Sequence, residues 1–219
     1  MRVLVVTAVA AEADSVTAAL PASLLDRHDP EHRVEVLAGG VGPGAAAAAT
    51  ATALAKGSYD LVVSAGIGGG FQPQAPVGSL VVADAIVAAD LGAQTPDGFI
   101  PVVELGFGHS THRPPAALAA RAAQAIGALH APVLTVSTVT GTAARAAELS
   151  SRHPGAGAEA MEGFGVAEAA AAQNVPVLEI RAISNAVGPR DRSAWRIKEA
   201  LSSLEGAFHA LRPLLEESP

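Results

Sequence analysis

The sequence predicts an α/β fold in which helices flank a mostly parallel, mixed central sheet. Short apolar, β-branched runs alternate along the chain with Ala-rich or periodic segments, and glycine clusters follow several of the runs. Strands that alternate with helices favour parallel pairing. No linker, internal repeat or change of composition divides the 219 residues, so we expect a single domain over 1–219.

The first half of the chain contains predicted strands and helices in alternation. Strands are predicted at 1–7, 33–38, 60–65 and 79–87, and helices at 10–20 and from the end of the 39–44 glycine cluster to about Lys56. The first run also resembles a signal peptide, because Arg2 precedes a short apolar stretch that ends in small residues. That stretch is at the short limit for a signal peptide, so we favour a buried strand.

The second half begins with a long irregular segment, residues 90–115, which is rich in Gly, Pro and His. A loop of that length in a compact domain usually serves a function, and we expect at most one short strand in it. Beyond it, the pattern predicts helices at 116–127, 143–151 and 161–174, strands at 132–139 and 175–184, and a terminal helix. The terminal helix carries one apolar stripe, formed by Leu201, Leu204, Phe208, Leu211 and Leu215.

Composition and charge exclude several classes of function. The formal net charge is −7 and no basic run occurs, which argues against a nucleic-acid partner. The chain has no Cys, so it has no disulfide, thiolate zinc site or thiol nucleophile, and a cytoplasmic location is expected. No apolar run approaches the ~18 residues that cross a bilayer, so no membrane partner is expected.

Two glutamates, Glu12 and Glu162, are candidates for active-site residues because of their positions in the predicted elements. Glu12 follows the first predicted strand, and ligand sites in α/β sheets gather at the carboxyl ends of strands. Its position alone nevertheless favours a solvated carboxylate that the helix dipole stabilises.

Glu162 follows Met161 at the start of an apolar helix, with Glu159 just before it. Glu162 is either a similar surface carboxylate or a buried one, which would need partners.

The glycine clusters 39–44 and 66–70 each follow a predicted strand. Glycine lets backbone amides approach a ligand closely. A tight strand-to-helix turn explains each cluster about equally well. Neither cluster matches the dinucleotide or phosphate-loop pattern.

Arg181, Ser184 and Asn185 come in quick succession at the end of an apolar strand. They are either polar groups of a ligand site or, for Ser184 and Asn185, caps of the following turn. His109 and His112 lie three apart in the long loop without a clear metal-ligand spacing, so no metal site is expected there. No organic cofactor is implied either.

In order, spacing and context these clusters resemble the nucleoside phosphorylase and nucleosidase superfamily over nearly the whole chain. Glu12 is similar to the water-activating Glu of methylthioadenosine and adenosylhomocysteine nucleosidases. Met161 and Glu162 are similar to the Met–Glu pair that binds ribose, and Gly66 opens the second of the superfamily's glycine turns. The resemblance implies a nucleoside phosphorylase-like fold, a small-molecule nucleoside substrate and no cofactor.

Asn185 departs from the adenine-cleaving nucleosidases, which usually have Asp at the end of the strand that 181–184 resembles. Asn cannot donate a proton as a general acid. It can accept a hydrogen bond from a protonated purine ring nitrogen and donate one to a 6-oxo oxygen. This chemistry favours hypoxanthine over adenine, with Arg181 and Ser184 orienting Asn185.

The lack of cations near the glycine clusters bears on the nucleophile. Phosphorylases of the superfamily hold phosphate with Arg residues near the glycine turns, whereas the regions around Gly42 and Gly66 contain no Arg or Lys other than Lys56, which lies mid-helix. A phosphate dianion without cationic partners is poorly held. Water is therefore the expected nucleophile, and the enzyme is expected to be a hydrolase.

The segment 184–192, followed by Trp195, resembles the C-terminal signature of the futalosine hydrolase family. This resemblance implies cleavage of futalosine to hypoxanthine and dehypoxanthine futalosine, in menaquinone biosynthesis. Trp195 would then pack on the 5′ substituent, and Arg190, Arg192 or Arg196 would pair with its carboxylate. Each of these Arg residues is equally well explained as a surface residue near the last helix.

Three alternatives stay open: a methylthioadenosine/adenosylhomocysteine nucleosidase, a purine nucleoside phosphorylase, and a nucleoside-binding protein without activity. The relatives build part of the 5′ pocket from a neighbouring subunit. That implies a homodimer or higher homo-oligomer, with the loop 90–115 reaching across. The proton for the leaving group is expected from Asp191 or from solvent.

Overall fold

A mixed β-sheet with helices on both faces forms the centre of the fold. The structure is a computed structural model that describes residues 1–26 and 33–216. Within these residues the sheet has eight strands: β1 (Arg2–Thr7), β2 (Arg33–Ala38), β3 (Leu61–Gly70), β4 (Leu80–Ala88), β7 (Thr111–His112), β8 (Leu129–Thr135), β9 (Ala158–Ala160) and β10 (Val177–Ala186). Two further strands, β5 (Gly92–Thr95) and β6 (Gly98–Pro101), form a separate antiparallel hairpin.

Helices connect the strands and cover both faces of the sheet. They are α1 (Ala10–Ala19), α2 (Ala22–Leu25), α3 (Pro43–Lys56), α4 (Ala116–Ile126), α5 (Ala143–Arg152), α6 (Gly163–Ala172) and α7 (Ile197–Glu216). A short 3-10 turn, Arg192–Ala194, precedes α7. In the part of the chain that the structure describes, no helix is both long and apolar enough for a membrane span.

The strand order is β10-β4-β8-β9-β3-β1-β2, and β10 also pairs with β3. The strands β3, β10, β4, β8 and β9 therefore close into a ring, from which β1 and β2 extend. The pairs β1–β2, β1–β3, β3–β10, β4–β8 and β8–β9 are parallel, whereas β4–β10, β3–β9 and β4–β7 are antiparallel. This arrangement confirms the predicted mostly parallel, mixed sheet.

Strand β1 shows why both faces are covered. Val3 and Val5 belong to an apolar cluster that includes side chains of α1, α4 and α7. Leu4 and Val6 point the other way, into a second cluster with α3 and α6. Alternate residues of a strand face opposite sides of a sheet, so an unbroken apolar run suits a strand that is buried on both faces. The strand interpretation of the first residues is thus confirmed.

The glycine cluster 66–70 does not form the turn that the sequence suggested. These glycines continue β3 and pair with β10 from Arg181 opposite Gly66 to Ala186 opposite Gly70. The turn interpretation is wrong because the strand must run close to its neighbours: a Cβ on Gly68 would lie 2.8 Å from the carbonyl oxygen of Glu159. Glycine here marks a close approach within the sheet.

Other differences concern short elements and boundaries. Strand β8 begins at Leu129, three residues before the predicted start at Pro132. Proline has no amide hydrogen to donate, but the carbonyl of Pro132 accepts from the amide of Gly157, so the strand continues through this residue. The segment 90–115 contains three short strands instead of one at most. Helix α2 and strand β9 were not predicted, because a stretch of three or four residues is too short to show a periodic pattern.

Candidate active site

A cleft of about 340 Å³ lies at the carboxyl ends of β1, β3 and β10, the edge at which ligand sites of α/β sheets gather. Its lining includes six of the predicted site residues: Glu12, Met161, Glu162, Ser184, Asn185 and Trp195. The predicted residues Gly66, Arg181, Arg190 and Arg192 do not line it. The structure thus brings most of the predicted set together, and it places Gly66 and Arg181 behind Glu12 and Glu162, and Arg190 and Arg192 near Trp195.

Glu12 is held rigidly in the wall of the cleft. Its Oε2 accepts from the amides of Ala8, at 2.9 Å, and Val9, at 3.2 Å, while Oε1 accepts from the amide of Ile67, at 2.8 Å. The residue is only 3% exposed, so the interpretation as a solvated helix-start carboxylate is wrong. Three backbone donors that come from two different strand ends fix both oxygens in place.

Gly66 lies directly behind this carboxylate. A Cβ at Gly66 would come within 2.5 Å of Glu12 Oε1 and 2.8 Å of Arg181 Nη1. Gly66 therefore makes room for the two charged groups and does not itself touch a ligand in the cleft.

Glu162 is the other buried carboxylate that the sequence singled out. Its Oε1 accepts from the amide of Gly42 at 3.2 Å, and its Oε2 accepts from Arg181 Nη1 at 3.2 Å and from the amide of Met161 at 3.3 Å. The bond from Gly42 also explains the first glycine cluster: with a φ of 91° Gly42 directs its amide at the carboxylate. Glu162 is thus the buried, partnered carboxylate, not the surface one.

Arg181 is buried and hydrogen-bonds to three side chains of the core beneath the cleft. Its Nε donates to Glu179 Oε1 at 2.9 Å, its Nη2 to Ser64 Oγ at 3.1 Å, and its Nη1 to Glu162. The expectation that Arg181 orients Asn185 is wrong, because its guanidinium donates instead to Glu179, Ser64, Glu162 and the carbonyl of Ile67. Arg181 positions Glu162 instead.

The charge of Arg181 partly offsets the burial of the carboxylates around it. Burial raises the pKa of the Glu179 carboxyl, and the adjacent guanidinium of Arg181 opposes that rise. Burial alone would lower the pKa of Arg181, but the carboxylates of Glu179, Glu162 and Glu12 raise it, so the guanidinium stays charged. A cation within reach of several carboxylates offsets their desolvation.

Ser184 and Asn185 lie where β10 leaves the sheet. Ser184 Oγ lies 2.8 Å from Asn185 Oδ1 and 3.2 Å from the carbonyl oxygen of Gly68, and Asn185 Nδ2 donates to the carbonyl of Ala186 at 3.0 Å. The predicted contact between Ser184 and Asn185 is therefore present. The amide of Asn185 is half-exposed and faces the cleft.

Trp195 lines the cleft, and the guanidinium of one Arg lies over its ring. The guanidinium of Arg190 is 5.6 Å from the centre of the Trp195 ring. Arg192 and Arg196 border a second depression along the start of α7, which Trp195 also lines. Arg196 Nη1 donates to the carbonyl of Ser193 at 3.1 Å. Of the three candidate Arg residues, Arg190 is the one whose guanidinium lies over the Trp195 ring.

Asp191 is poorly suited to supply a proton. Its Oδ1 accepts from both the amide and the hydroxyl of Ser193, and these hydrogen bonds hold the pKa of the Asp191 carboxyl below its ordinary value. A carboxyl with a lowered pKa is ionised at neutral pH and has no proton to give. Solvent is the better of the two sources that the sequence left open.

Glu159 lines the cleft, although the sequence analysis noted it only as a neighbour of Met161. Its carboxylate accepts from the amide of Thr140 at 2.8 Å and from the hydroxyl of the same residue. Burial raises the pKa of the Glu159 carboxyl, and the bonds from Thr140 oppose the rise. The one signal in the sequence was a charged residue within a short run of small residues, which is too weak to predict a site.

The comparisons with known proteins agree with this arrangement. A family model described as the phosphorylase superfamily matches residues 28–214, and the chain belongs to that superfamily. It is 63% identical to the futalosine hydrolase of Streptomyces coelicolor, over 99% of this chain and 97% of that protein. It is 49% identical to the futalosine hydrolase of Acidothermus cellulolyticus, over 95% and 89% of the two chains. Within the superfamily the chain belongs to the futalosine hydrolase family, and it is an N-glycosyl hydrolase.

Solved structures show the same fold. A futalosine hydrolase of Helicobacter pylori superposes with a TM-score of 0.81 at 16% identity, over 98% of both chains. A methylthioadenosine/adenosylhomocysteine nucleosidase of Neisseria meningitidis, in complex with methylthio-immucillin-A, has a TM-score of 0.79 at 18% identity, over 96% of this chain and 97% of that chain. The predicted nucleoside phosphorylase-like fold is therefore confirmed.

Proposed function

We propose that the chain hydrolyses the N-glycosidic bond of futalosine, releases hypoxanthine and leaves dehypoxanthine futalosine for menaquinone biosynthesis. The charge of the cleft is the observation that supports water, rather than phosphate, as the nucleophile. Glu12, Glu159 and Glu162 line it, and among the described lining residues there is no Lys or Arg. A phosphate dianion would meet carboxylates and no cation, whereas neutral water is not repelled.

We assign Glu12 the role of the general base that activates the attacking water. Its two oxygens are already oriented by three backbone amides, so a lone pair directed into the cleft is fixed before substrate arrives. As the bond between C1′ and the purine nitrogen breaks, its electron pair leaves with the base and positive charge develops on the ribose. Glu12 accepts a proton from the water that forms the new bond to C1′.

Glu162 is assigned to the ribose hydroxyls. An ionised carboxylate makes strong, charge-assisted bonds with hydroxyl donors, and this one is oriented by Gly42 and Arg181. Its negative charge also favours the positive ribose of the transition state over the neutral ribose of the substrate.

Asn185 is assigned to the purine. Its Oδ1 has two lone pairs, of which one receives the hydroxyl of Ser184 and the other is left for a protonated ring nitrogen. Its Nδ2 carries two hydrogens, of which one is donated to Ala186 and the other suits a 6-oxo oxygen. Together these groups match hypoxanthine, and the ring nitrogen takes its proton from solvent.

We also infer a homodimer or a higher homo-oligomer. Several apolar side chains of the 90–115 segment are exposed: Leu91, Val103, Leu105 and Phe107, the last at 71%. Clustered apolar side chains on the surface mark interaction sites. Sedimentation of the purified chain at several concentrations tests the inference, and a monomer at every concentration contradicts it. A cytoplasmic location stays a prediction.

The central experiment compares four nucleosides, with and without phosphate, and identifies the released base by chromatography. Futalosine should release hypoxanthine at the same rate in both conditions, and faster than aminofutalosine, inosine or methylthioadenosine are cleaved. Phosphate-dependent cleavage would instead identify a phosphorylase. A preference for methylthioadenosine would identify the adenine-cleaving class.

A further inference from the structure

Although the spacing of His109 and His112 in the sequence predicts no metal site, we propose that these two residues and Glu168 bind a divalent transition-metal ion of the zinc class, which links strand β7 and the loop before it to helix α6. The three side chains converge on one point. His109 Nε2 lies 2.9 Å and His112 Nε2 3.0 Å from the same oxygen, Glu168 Oε1, and the two nitrogens are 3.2 Å apart. The three potential ligand atoms thus form a nearly equilateral triangle.

A metal ion can use all three atoms of this triangle, whereas hydrogen bonds can join only some of them. Each Nε2 carries either one hydrogen or one lone pair in the plane of its ring. If both nitrogens donate to Glu168, the edge between the nitrogens has no hydrogen bond. If one nitrogen accepts from the other, it has no hydrogen to donate to the carboxylate. At least one edge of the triangle therefore lacks a hydrogen bond, whereas a cation above the triangle can accept a lone pair from each of the three atoms.

The geometry and the atoms suit a metal of this class. With bonds of ~2.05 Å to zinc, two ligands of a tetrahedron lie ~3.3 Å apart, and two adjacent ligands of an octahedron lie ~2.9 Å apart. The three edges of 2.9, 3.0 and 3.2 Å fall in this range. Imidazole nitrogen with one carboxylate oxygen is a donor set that zinc, nickel, cobalt and iron accept.

The surroundings prearrange the ligands and leave a path for the ion. The ring of Phe164 packs against both imidazoles, with centroid distances of 5.1 Å to His112 and 6.1 Å to His109. The side chain of His112 is only 13% exposed, whereas that of His109 is 56% exposed, so one side of the triangle is open to solvent. Solvent can supply the remaining ligands.

The site is structural rather than hydrolytic. None of the three residues lines the cleft. His112 lies in β7, which pairs with β4, and Glu168 lies in α6, whose first turn follows Glu162. An ion at this point would join the loop that carries the exposed apolar side chains to the helix that begins at the ribose carboxylate. All three ligands come from one chain, so the site does not require a partner subunit.

The test measures zinc binding directly. The full chain, stripped of metal with a chelator and dialysed, is titrated with zinc sulfate by calorimetry, and cobalt is added in parallel to record its visible absorption. We expect one ion per chain for the wild type and for His209→Ala, a control at an exposed histidine of α7. His109→Ala, which removes one of three ligands at an exposed position, should bind zinc at least ~100-fold more weakly, because loss of an outer-shell partner alone costs about 10–100-fold.

A second readout separates loss of a ligand from loss of the fold. Zinc should raise the melting temperature of the wild type and of His209→Ala, and leave that of His109→Ala unchanged. Glu168→Gln, which keeps a neutral oxygen, should fall between the two. The proposal is overturned if the wild type binds no stoichiometric zinc, or if His109→Ala binds it as tightly as the wild type does.

Discussion

Arg181 Nη1 donates to Glu162 Oε2 at 3.2 Å, and the two side chains are 1% and 7% exposed. The same guanidinium holds Glu179, which is entirely buried. The carboxylate assigned to ribose is therefore fixed by a cation that water cannot reach, and its orientation depends on the integrity of the core beneath the cleft.

Arg181→Lys should destabilise the chain and weaken nucleoside cleavage. A single ammonium cannot reach Glu179, Ser64 and Glu162 at once, so one buried carboxylate loses its partner, at a cost of about 3 kcal/mol. Urea unfolding measures the change. Arg145→Lys, at a partly exposed pair with Glu148 on α5, should change the free energy of unfolding by less than ~0.5 kcal/mol. Equal stabilities of the two variants would contradict the role of Arg181.

Glu12→Gln should lower kcat for hypoxanthine release by about 10³-fold, because Gln cannot accept the proton of the water. The variant should still fold, although one amide donor loses its acceptor, which costs about 1–3 kcal/mol. Steady-state kinetics and circular dichroism together measure both effects. Asp14→Asn, an exposed acid on the same helix, is the control. Near-normal turnover of Glu12→Gln would refute the assignment.

Asn185→Asp should shift the preference from 6-oxopurine nucleosides to adenine nucleosides. An ionised Asp cannot donate to a 6-oxo oxygen but accepts from the 6-amino group. The ratio of kcat/KM for futalosine and aminofutalosine measures the shift. Asn174→Asp, at an exposed position just beyond α6, introduces the same charge away from the cleft. An unchanged ratio for Asn185→Asp would show that this residue does not contact the 6-position.

Arg190→Gln should raise KM for futalosine and leave KM for inosine unchanged. Only futalosine carries a carboxylate beyond the ribose, and Arg190 is the Arg that lies over the Trp195 ring. Arg192→Gln, at an exposed position two residues further along the chain, is the matched control. If the control raises KM for futalosine and Arg190→Gln does not, the carboxylate is bound at the start of α7 instead.

Glu159 should make stability depend on pH. Burial raises the pKa of its carboxyl above the ordinary 4.5, so the folded chain binds this proton more tightly than the unfolded chain does. Its contribution to the free energy of unfolding is full below pH 4.5 and decreases as pH rises towards the folded-state pKa. Glu159→Gln cannot ionise. The stability of the variant relative to the wild type should therefore increase with pH above about 4.5, and parallel curves of urea stability against pH would contradict this.

The sequence predicted the long elements well because their apolar periodicity comes from burial on one or both faces. β2 was predicted with its observed boundaries, 33–38, and the stripe of α7 is buried at Leu204, Phe208, Leu211 and Leu215. The prediction that Glu12, Glu162 and Asn185 belong to one site came from resemblance to a known family and not from periodicity. Nothing in the local pattern distinguishes a buried Glu12 from a solvated one.

The errors have a common physical cause, which is contact between residues distant in sequence. Arg181 was assigned to Asn185, four positions away, whereas its partners include Glu162 and Ser64, 19 and 117 positions away. The glycines 66–70 were interpreted as a turn because their local freedom suggests one. Their strand conformation follows from pairing with β10, which lies more than 100 residues further along the chain.

The lack of side chains on β3 at Gly68 and Gly69 limits how this enzyme can acquire new substrates. Gly68 and Gly69 form the floor of the cleft, and a Cβ on either would lie within 3.0 Å of Glu159 or Val187. A side chain at Gly68 would meet backbone, whereas one at Gly69 would require Val187 to move by a few tenths of an ångström. New specificity therefore arises more readily at the walls, where Val9, Val41 and Val139 are more than 40% exposed and have room to change. A library restricted to those three valines would retain the folded state while sampling the shape of the site.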